Sequence, residues 1–147
     1  MADIIRTATA AWQGDLKSGG GTTSTPSGAL QDVKITAAAR FEGAPGANPE
    51  ELLASAEASC FSMALSANLG RAGFTPSAIN TKTTLTMTRT DAGFRIISVH
   101  LDTEATVPGI DDAAFQDIAA KTKDGCPVSV LLKPGLQSLT LSAKLVR

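Results

Sequence analysis

The chain has 147 residues, 43% of them hydrophobic and 18% charged, and its formal net charge is -1. That length fits one packed domain, residues 1–147, and is too short for two cores of ordinary size. Lys and Arg occur singly rather than in clusters, so nucleic acid is excluded as an expected partner, and the composition argues against a disordered tail.

The N-terminal segment lacks a basic stretch followed by an apolar run, and nowhere do roughly 20 apolar residues follow one another. We therefore expect a soluble, cytoplasmic protein that does not bind membranes. Residues 1–47 are predicted to be mostly β, with strands at 4–12, near 21–25 and at 33–41. The glycines and proline of residues 42–47 predict a loop.

A core helix is predicted over residues 48–72. Asn48 is a preferred N-cap, Pro49 suits the first helical position, and Glu50 and Glu51 suit the positive end of the helix. We expect small and apolar residues to form its buried stripe, namely Leu52, Leu53, Ala56, Cys60, Met63, Ala64 and Ala67.

The remaining pattern predicts an antiparallel β-hairpin over residues 78–107 and a second helix over 111–124. Residues 126–133 are predicted as a short helix opened by Pro127, and residues 136–146 as the final strand. Without sustained alternation of strands and helices, these elements indicate an α+β fold rather than a doubly wound parallel sheet.

The chain contains two cysteines, Cys60 and Cys126. Cys60 lies on the predicted apolar stripe, where a cysteine often packs as a small hydrophobic residue. Cys126 precedes a helix-opening proline, where unpaired N–H groups and the positive dipole end stabilise a thiolate. Position alone leaves packing and reactivity open for both. His100 is expected on the polar face of a strand, and no Cys-x-x-Cys spacing occurs, so neither a metal nor a cofactor is predicted.

Two segments resemble the signature of the osmotically inducible protein C and organic hydroperoxide resistance (OsmC/Ohr) family. They are residues 48–65, NPEELLASAEASCFSMAL, and residues 125–129, GCPVS. Shorter matches follow in order across nearly the whole chain, at residues 12–15, 40–43, 73–76, 91–94 and 107–110. The resemblance implies antiparallel sheets packed on two main helices plus a short third one, in an intertwined homodimer with active sites at the subunit interface.

The resemblance also implies a thiol-dependent peroxidase of the oxidative and osmotic stress response. It would reduce organic hydroperoxides to alcohols, and hydrogen peroxide less well. Cys60 would be the peroxidatic residue, forming a sulfenic acid, and Cys126 the resolving residue, forming a Cys60–Cys126 disulfide. Arg40 would favour the thiolate and Glu50 would orient Arg40. A dithiol, such as a dihydrolipoyl protein, would reduce the disulfide again.

Helix geometry adds an expectation about this site. Glu50 and Cys60 are ten residues apart, which on a straight helix is a rise of about 15 Å, too far for both to touch one guanidinium. Either the helix begins later or bends, or the site is assembled across a subunit interface. We hypothesise a site built from two chains.

Within the family, the organic hydroperoxide resistance branch takes its arginine from an early loop, whereas residues 14–19 here contain Lys17 and no arginine. The segment of residues 40–43 instead resembles the osmotically inducible branch. Arg40 is therefore the expected activator, with Lys17 as the alternative. Phe41, Phe61 and Met63 are expected to accept an alkyl tail.

Two other kinds of function are compatible with the sequence. The chain could be a redox sensor whose disulfide switches a surface for another protein. Alternatively, it could be a hydrophobic-ligand-binding module without turnover, in which the cysteines only pack.

Overall fold

The computed structural model describes residues 2–146. The contacts divide the chain into two compact units, Met1–Leu52 and Leu53–Arg147, and each unit contains a three-stranded sheet. The predicted α+β class is confirmed. The prediction of a single domain stays a prediction.

The first unit is built on an antiparallel sheet in the order β1 (Thr9–Gln13), β2 (Gly20–Ser24) and β3 (Val33–Ile35). Gly21 allows β1 and β2 to pair closely, because a Cβ at this position would lie 1.8 Å from the carbonyl oxygen of Ala11. A side chain here would therefore force the two strands apart.

The predicted strand over residues 33–41 is wrong beyond Ile35. A short helix, α1 (Ala37–Phe41), occupies its second half. Thr36 is the N-cap, and its hydroxyl accepts a hydrogen bond of 3.0 Å from the N–H of Ala39. This cap and the run of three alanines favour a helix over a strand, and Arg40 consequently lies on a helix.

Helix α2 (Pro49–Arg71) begins as predicted, with the side chain of Asn48 accepting a hydrogen bond of 2.8 Å from the N–H of Glu51. After the helix, Gly73 adopts φ of 88°, a left-handed conformation that suits glycine just past a helix end. The helix runs without interruption from Pro49 to Arg71, so the alternative that it begins after Glu50 is wrong.

The buried face of α2 differs from the predicted stripe. Glu57, Phe61, Leu65 and Leu69, spaced four residues apart, are each 0% exposed, whereas Met63 is 74% exposed. Three large apolar side chains on one face remove more surface from water than the alanines of the predicted stripe, and they decide which face is buried. A glutamate therefore occupies a core position.

The second unit has a mixed sheet in the order β4 (Ala78–Thr90), β5 (Gly93–Thr106) and β6 (Ser138–Val146). β4 and β5 form an antiparallel hairpin, and β6 pairs in parallel with β5. The long connection between β5 and β6 holds the remaining helices, as parallel neighbours require. Alternating residues of β5, from Val99 to Ala105, face the core.

Helices α3 (Asp112–Gly125) and α4 (Pro127–Leu132) make up most of that connection, and a 3-10 turn (Lys133–Gly135) follows. Asp111 caps α3 by accepting a hydrogen bond of 2.8 Å from Ala114. The buried core of this unit consists of side chains from α2, β5 and α3 and their flanking residues, namely Phe61, Leu65, Leu69, Leu101, Ala105, Val107, Phe115, Ala119 and Cys126. Among the helices of residues 2–146, none is long and apolar enough to span a membrane.

We expect Phe61→Ala to lower the free energy of unfolding by about 3–5 kcal/mol, because it leaves a cavity in this core. Leu131→Ala is the control, since Leu131 is 75% exposed and should change stability by about 0.5 kcal/mol or less. Urea unfolding at one fixed protein concentration measures both. Equal losses in the two variants would contradict the assignment of Phe61 to the core.

Candidate active site

The two cysteine sulfurs of the second unit lie next to each other. The Sγ of Cys126 donates a hydrogen bond of 3.1 Å to the Sγ of Cys60, and both residues are free thiols. Cys60 is half-buried on α2, and Cys126 is fully buried. The structure thus brings together two residues that are 66 positions apart in the sequence.

Cys126 is held by its backbone at the junction of two helices. Its N–H donates to the carbonyl of Thr122 at the end of α3, at 2.8 Å. Its own carbonyl accepts from the N–H of Val130 in α4, at 2.9 Å. Pro127 opens α4 with a φ already suited to the helix. These bonds tie the backbone of Cys126 to both helices.

The environment of Cys60 within its own chain favours the thiol over the thiolate. Burial is the largest cause that raises the pKa of Cys60, followed by its hydrogen bond with Cys126, and the charges of Cys126 and Glu57 act in the same direction. The backbone N–H of Val128 acts in the opposite direction and lowers the pKa. A reactive thiolate at Cys60 therefore needs a further source of positive potential.

Glu57 is a buried acid beside this pair that the sequence reasoning did not identify. It lies one helical turn before Cys60, and its Oε1 accepts a hydrogen bond of 2.5 Å from the hydroxyl of Ser129. Its Oε2 is buried and has no hydrogen-bond partner among the described residues. Burial raises the pKa of Glu57, and the Ser129 hydrogen bond lowers it in part. The sequence does carry a signal for this residue: Glu57 lies four residues before Phe61 and eight before Leu65, so all three fall on one face of the helix.

Arg40 and Glu50 are paired in the first unit. The Nε of Arg40 lies 3.1 Å from each carboxylate oxygen of Glu50, and its Nη2 lies 2.6 Å from Oε1. The guanidinium carbon also lies 5.2 Å from the ring centre of Phe41. A two-point ion pair with an aromatic neighbour limits the rotation of the guanidinium. Both partners belong to the same chain.

A cavity of about 320 Å³ in the first unit adjoins this ion pair. Its lining is predominantly apolar, and Arg40 is the one charged residue in it. The other lining residues are Ala10, Trp12, Leu16, Thr23, Ile35, Thr36, Ala37, Ala47, Pro49 and Leu52. Lys17 lines a different cavity of the same unit, together with Lys34 and neighbouring small residues.

Of the three residues expected to accept an alkyl tail, Phe61 is placed in the core, where it is 0% exposed. It cannot contact a ligand without disrupting that core. Phe41 is 40% exposed and Met63 is 74% exposed, so both present apolar surface. The expectation for Phe61 is wrong because its side chain lies on the buried face of α2.

His100 lies on the opposite face of β5 from the core, and its Nδ1 is 2.8 Å from the Oγ1 of Thr140. Within residues 2–146, no three His, Cys, Asp or Glu side chains form a group that could hold a metal ion.

The fold and the sulfur pair together describe an α+β protein in which a thiol midway along α2 contacts a thiol at the start of α4. Residues 41–138 match the OsmC-like protein family. The chain is 52% identical over 122 residues to peroxiredoxin OsmC of Escherichia coli (strain K12) and, to the same extent, to peroxiredoxin OsmC of Shigella flexneri. Each alignment covers 83% of this chain and 85% of the relative. The chain therefore belongs to the OsmC-like protein family.

Solved structures agree with this membership. The organic hydroperoxide resistance protein OhrB of Bacillus subtilis superposes with a TM-score of 0.71 at 25% identity, covering 94% of this chain and 98% of that one. An OsmC-like protein from Mycoplasma pneumoniae gives a TM-score of 0.77 at 18% identity, covering 99% and 100%. At that lower identity the likeness shows the fold alone.

We expect the titration of Glu57 to appear in stability. Its unfolded carboxyl ionises near the ordinary value of 4.5, whereas the folded carboxyl keeps its proton to higher pH. Stability from this group is therefore full below pH 4.5 and is lost as the pH rises through the raised folded pKa. Relative to Glu57→Gln, the wild type should lose stability as the pH rises through that window, with a slope of at most about 1.4 kcal/mol per pH unit. Urea unfolding across pH measures this, and parallel stability curves would contradict it.

Proposed function

We propose that the chain is a thiol-dependent peroxidase that reduces organic hydroperoxides to alcohols, with Cys60 as the attacking and Cys126 as the resolving sulfur. The observation that carries the proposal is the 3.1 Å separation of the two thiol sulfurs. Its context is a chain that is 52% identical to a peroxiredoxin.

The partial exposure of Cys60 and the burial of Cys126 support this division of roles. A Cys60 thiolate attacks the terminal peroxide oxygen, the O–O bond breaks, and the leaving alkoxide takes a proton to become the alcohol. The resulting sulfenic acid then condenses with the Cys126 thiol, forming the disulfide and releasing water. A dithiol, for which a dihydrolipoyl protein is our candidate, reduces the disulfide again.

The raised pKa of Cys60 is the reason that a cation is needed in this mechanism. Arg40, oriented by Glu50, is the proposed source: a guanidinium favours the thiolate and donates hydrogen bonds to the developing oxyanion. Glu50 and Cys60 belong to one helix, along which ten residues rise by about 15 Å. We therefore propose that the chain forms a homodimer, in which the Arg40–Glu50 pair of one copy serves Cys60 of the other.

The apolar cavity beside Arg40 supports an organic substrate. An alkyl or aryl tail gains binding free energy from such a lining, whereas hydrogen peroxide has no tail to bury. Hydrogen peroxide is accordingly the poorer substrate. We place the protein in the cytoplasm, because a site that a dithiol must reduce after each turnover needs a reducing compartment.

The order of the two sulfurs is tested with a reagent that traps sulfenic acids, such as a cyclic 1,3-dione. After exposure to one equivalent of an alkyl hydroperoxide, Cys126→Ser should form a stable adduct at Cys60, because the resolving thiol is absent. Cys60→Ser should form none. Mass spectrometry locates the adduct, and an adduct at Cys126 in the Cys60→Ser variant would reverse the roles. A second measurement distinguishes an enzyme from the two alternatives. An enzyme consumes hydroperoxide steadily in the presence of a dithiol, whereas a redox sensor or a binding module does not.

The activating cation is tested by Arg40→Ala, which should lower kcat/KM for an alkyl hydroperoxide by about 10²-fold or more. Lys17→Ala is the matched control and should leave kcat/KM close to the wild-type value. The opposite pattern would transfer the role to Lys17.

Mixing tests the two-chain site. Arg40→Ala and Cys60→Ser are each expected to be nearly inactive, but a mixed dimer contains one intact site. A statistical mixture prepared by joint refolding should recover roughly a quarter of the wild-type activity. If both variants are inactive alone and the mixture stays inactive although mixed dimers are present, the site lies within one chain.

A further inference from the structure

Two side-chain contacts, one partly buried and one buried, join α2 to α4. The first is the contact between the sulfurs of Cys60 and Cys126, and the second is the hydrogen bond that Ser129 donates to Glu57. Each contact has one partner on α2 and the other on α4 or its N-cap. The second contact has no role in the peroxidase chemistry described so far.

The two contacts are in register. Glu57 precedes Cys60 by three residues on α2, and Ser129 follows Cys126 by three residues at the start of α4. Residues three apart lie on the same face of a helix, one turn from each other. The Glu57–Ser129 bond therefore lies one helical turn from the sulfur pair on both elements.

Few other side chains of helix α4 are buried. It contains six residues, too few for a helix to be stable by itself, and Ser129 is the one residue within Pro127–Leu132 that is buried. Val130 and Leu131 are 53% and 75% exposed. Val128 adds a partly buried apolar contact with the core. The buried hydroxyl of Ser129 is therefore a principal attachment of this helix.

The acceptor of that attachment is itself constrained. Glu57 is 0% exposed, and its Oε2 has no hydrogen-bond partner among the described residues. Leaving a polar atom unsatisfied in a core costs stability, and a leucine or methionine would fill the same position without that cost. A glutamate at this position supplies what an apolar residue cannot, an oxygen that accepts the Ser129 hydrogen bond.

We infer that Glu57 is a positioning residue for disulfide formation: by holding Ser129, it fixes the start of α4 so that the Cys126 sulfur faces the Cys60 sulfur. The inference rests on the proposed peroxidase function and adds to it. Glu57 acts through Ser129 and is not assigned contact with the substrate.

The step that depends on this alignment is the condensation of the sulfenic acid with the second thiol. The Cys126 sulfur attacks the Cys60 sulfur, the S–S bond forms and the S–O bond breaks. The proton of the Cys126 thiol leaves with the hydroxyl group as water, and no further oxidant is needed. A displacement of about 1 Å can slow such a step by 10²-fold. A slow step leaves the sulfenic acid exposed to a second peroxide, which oxidises it to the sulfinic acid.

The test compares Ser129→Ala, Glu57→Leu and Glu57→Gln. The first two remove the hydrogen bond and should slow disulfide formation by about tenfold or more, while the sulfenic acid still forms at least as fast as in the wild type. Glu57→Gln keeps an oxygen that accepts from Ser129, so it should restore disulfide formation to within about threefold of the wild type. Rapid quenching and mass spectrometry follow the sulfenic, disulfide and sulfinic forms. Sulfinic acid should accumulate only in the first two variants.

Thr103→Val is the control for a merely structural effect. Thr103 is 0% exposed on β5, and its hydroxyl bonds to Thr81 and to the carbonyl of Asn80, so this variant also removes a buried hydroxyl. It should lose stability without changing the rate of disulfide formation. A wild-type rate in Ser129→Ala would overturn the inference, as would a Glu57→Gln variant as slow as Glu57→Leu. If Glu57→Leu does not fold, the inference is decided by comparing the rates of disulfide formation in Ser129→Ala and Thr103→Val.

A second readout separates the inference from the proposed function. Diamide oxidises two adjacent thiols to a disulfide and takes up their two electrons and two protons. Its rate of reaction therefore measures how well the two sulfurs are aligned, without the use of a peroxide. Ser129→Ala should slow this reaction as well, by about tenfold. If the wild type formed no sulfenic acid, the peroxidase proposal would fail, and the diamide rates would still decide whether Glu57 and Ser129 align the sulfurs. Equal diamide rates in wild type and Ser129→Ala would exclude that alignment.

Discussion

The contact between the two thiols depends on a single arrangement: the N-terminal end of α4 is held against one turn of α2. The 3.1 Å between the sulfurs places them in direct contact. Cys126 serves at once as the C-cap of α3 and the N-cap of α4, so its position is fixed by the path of the backbone. The large side chains on the inner face of α2 then hold that helix against the core of the second unit.

A thiol in this position is not reactive by default. Burial, the neighbouring sulfur and the buried acid Glu57 all raise the pKa of Cys60. The same features that bring the two sulfurs together therefore disfavour the thiolate. A chain that carried its activating guanidinium on a second copy would keep the isolated sulfur protonated and generate the thiolate only in the assembled site. Within the first unit, the ion pair with Glu50 restricts the orientation of the Arg40 guanidinium.

Several features followed from local sequence patterns. The N-cap at Asn48, the proline that opens α4 and the hairpin over residues 78–107 are decided by neighbouring residues, and such short-range effects can be inferred from the chain itself. Where two local patterns competed, the inference failed. Polar and apolar side chains do not alternate clearly in residues 37–41, so these residues do not specify a strand. The Thr36 cap and the alanines that follow it favour the helix α1 instead.

The burial of α2 shows a different limit. The predicted stripe and the buried stripe are adjacent on the helix, and the buried one carries the larger side chains Phe61 and Leu65, which pack in the core. The burial of Glu57 does not follow from its own stripe: a glutamate on a helix is normally solvated, and its burial depends on contacts with Ser129, 72 positions later.

The sequence by itself determined the class of fold, the two cysteine motifs and the family, because these depend on local spacing and on the identity of short segments. The tertiary structure decided that the two sulfurs meet, which side of α2 is buried and that a carboxyl group lies beside the thiols. These properties depend on contacts between residues far apart in the chain, and the position of one helix relative to another cannot be deduced from the pattern of either alone.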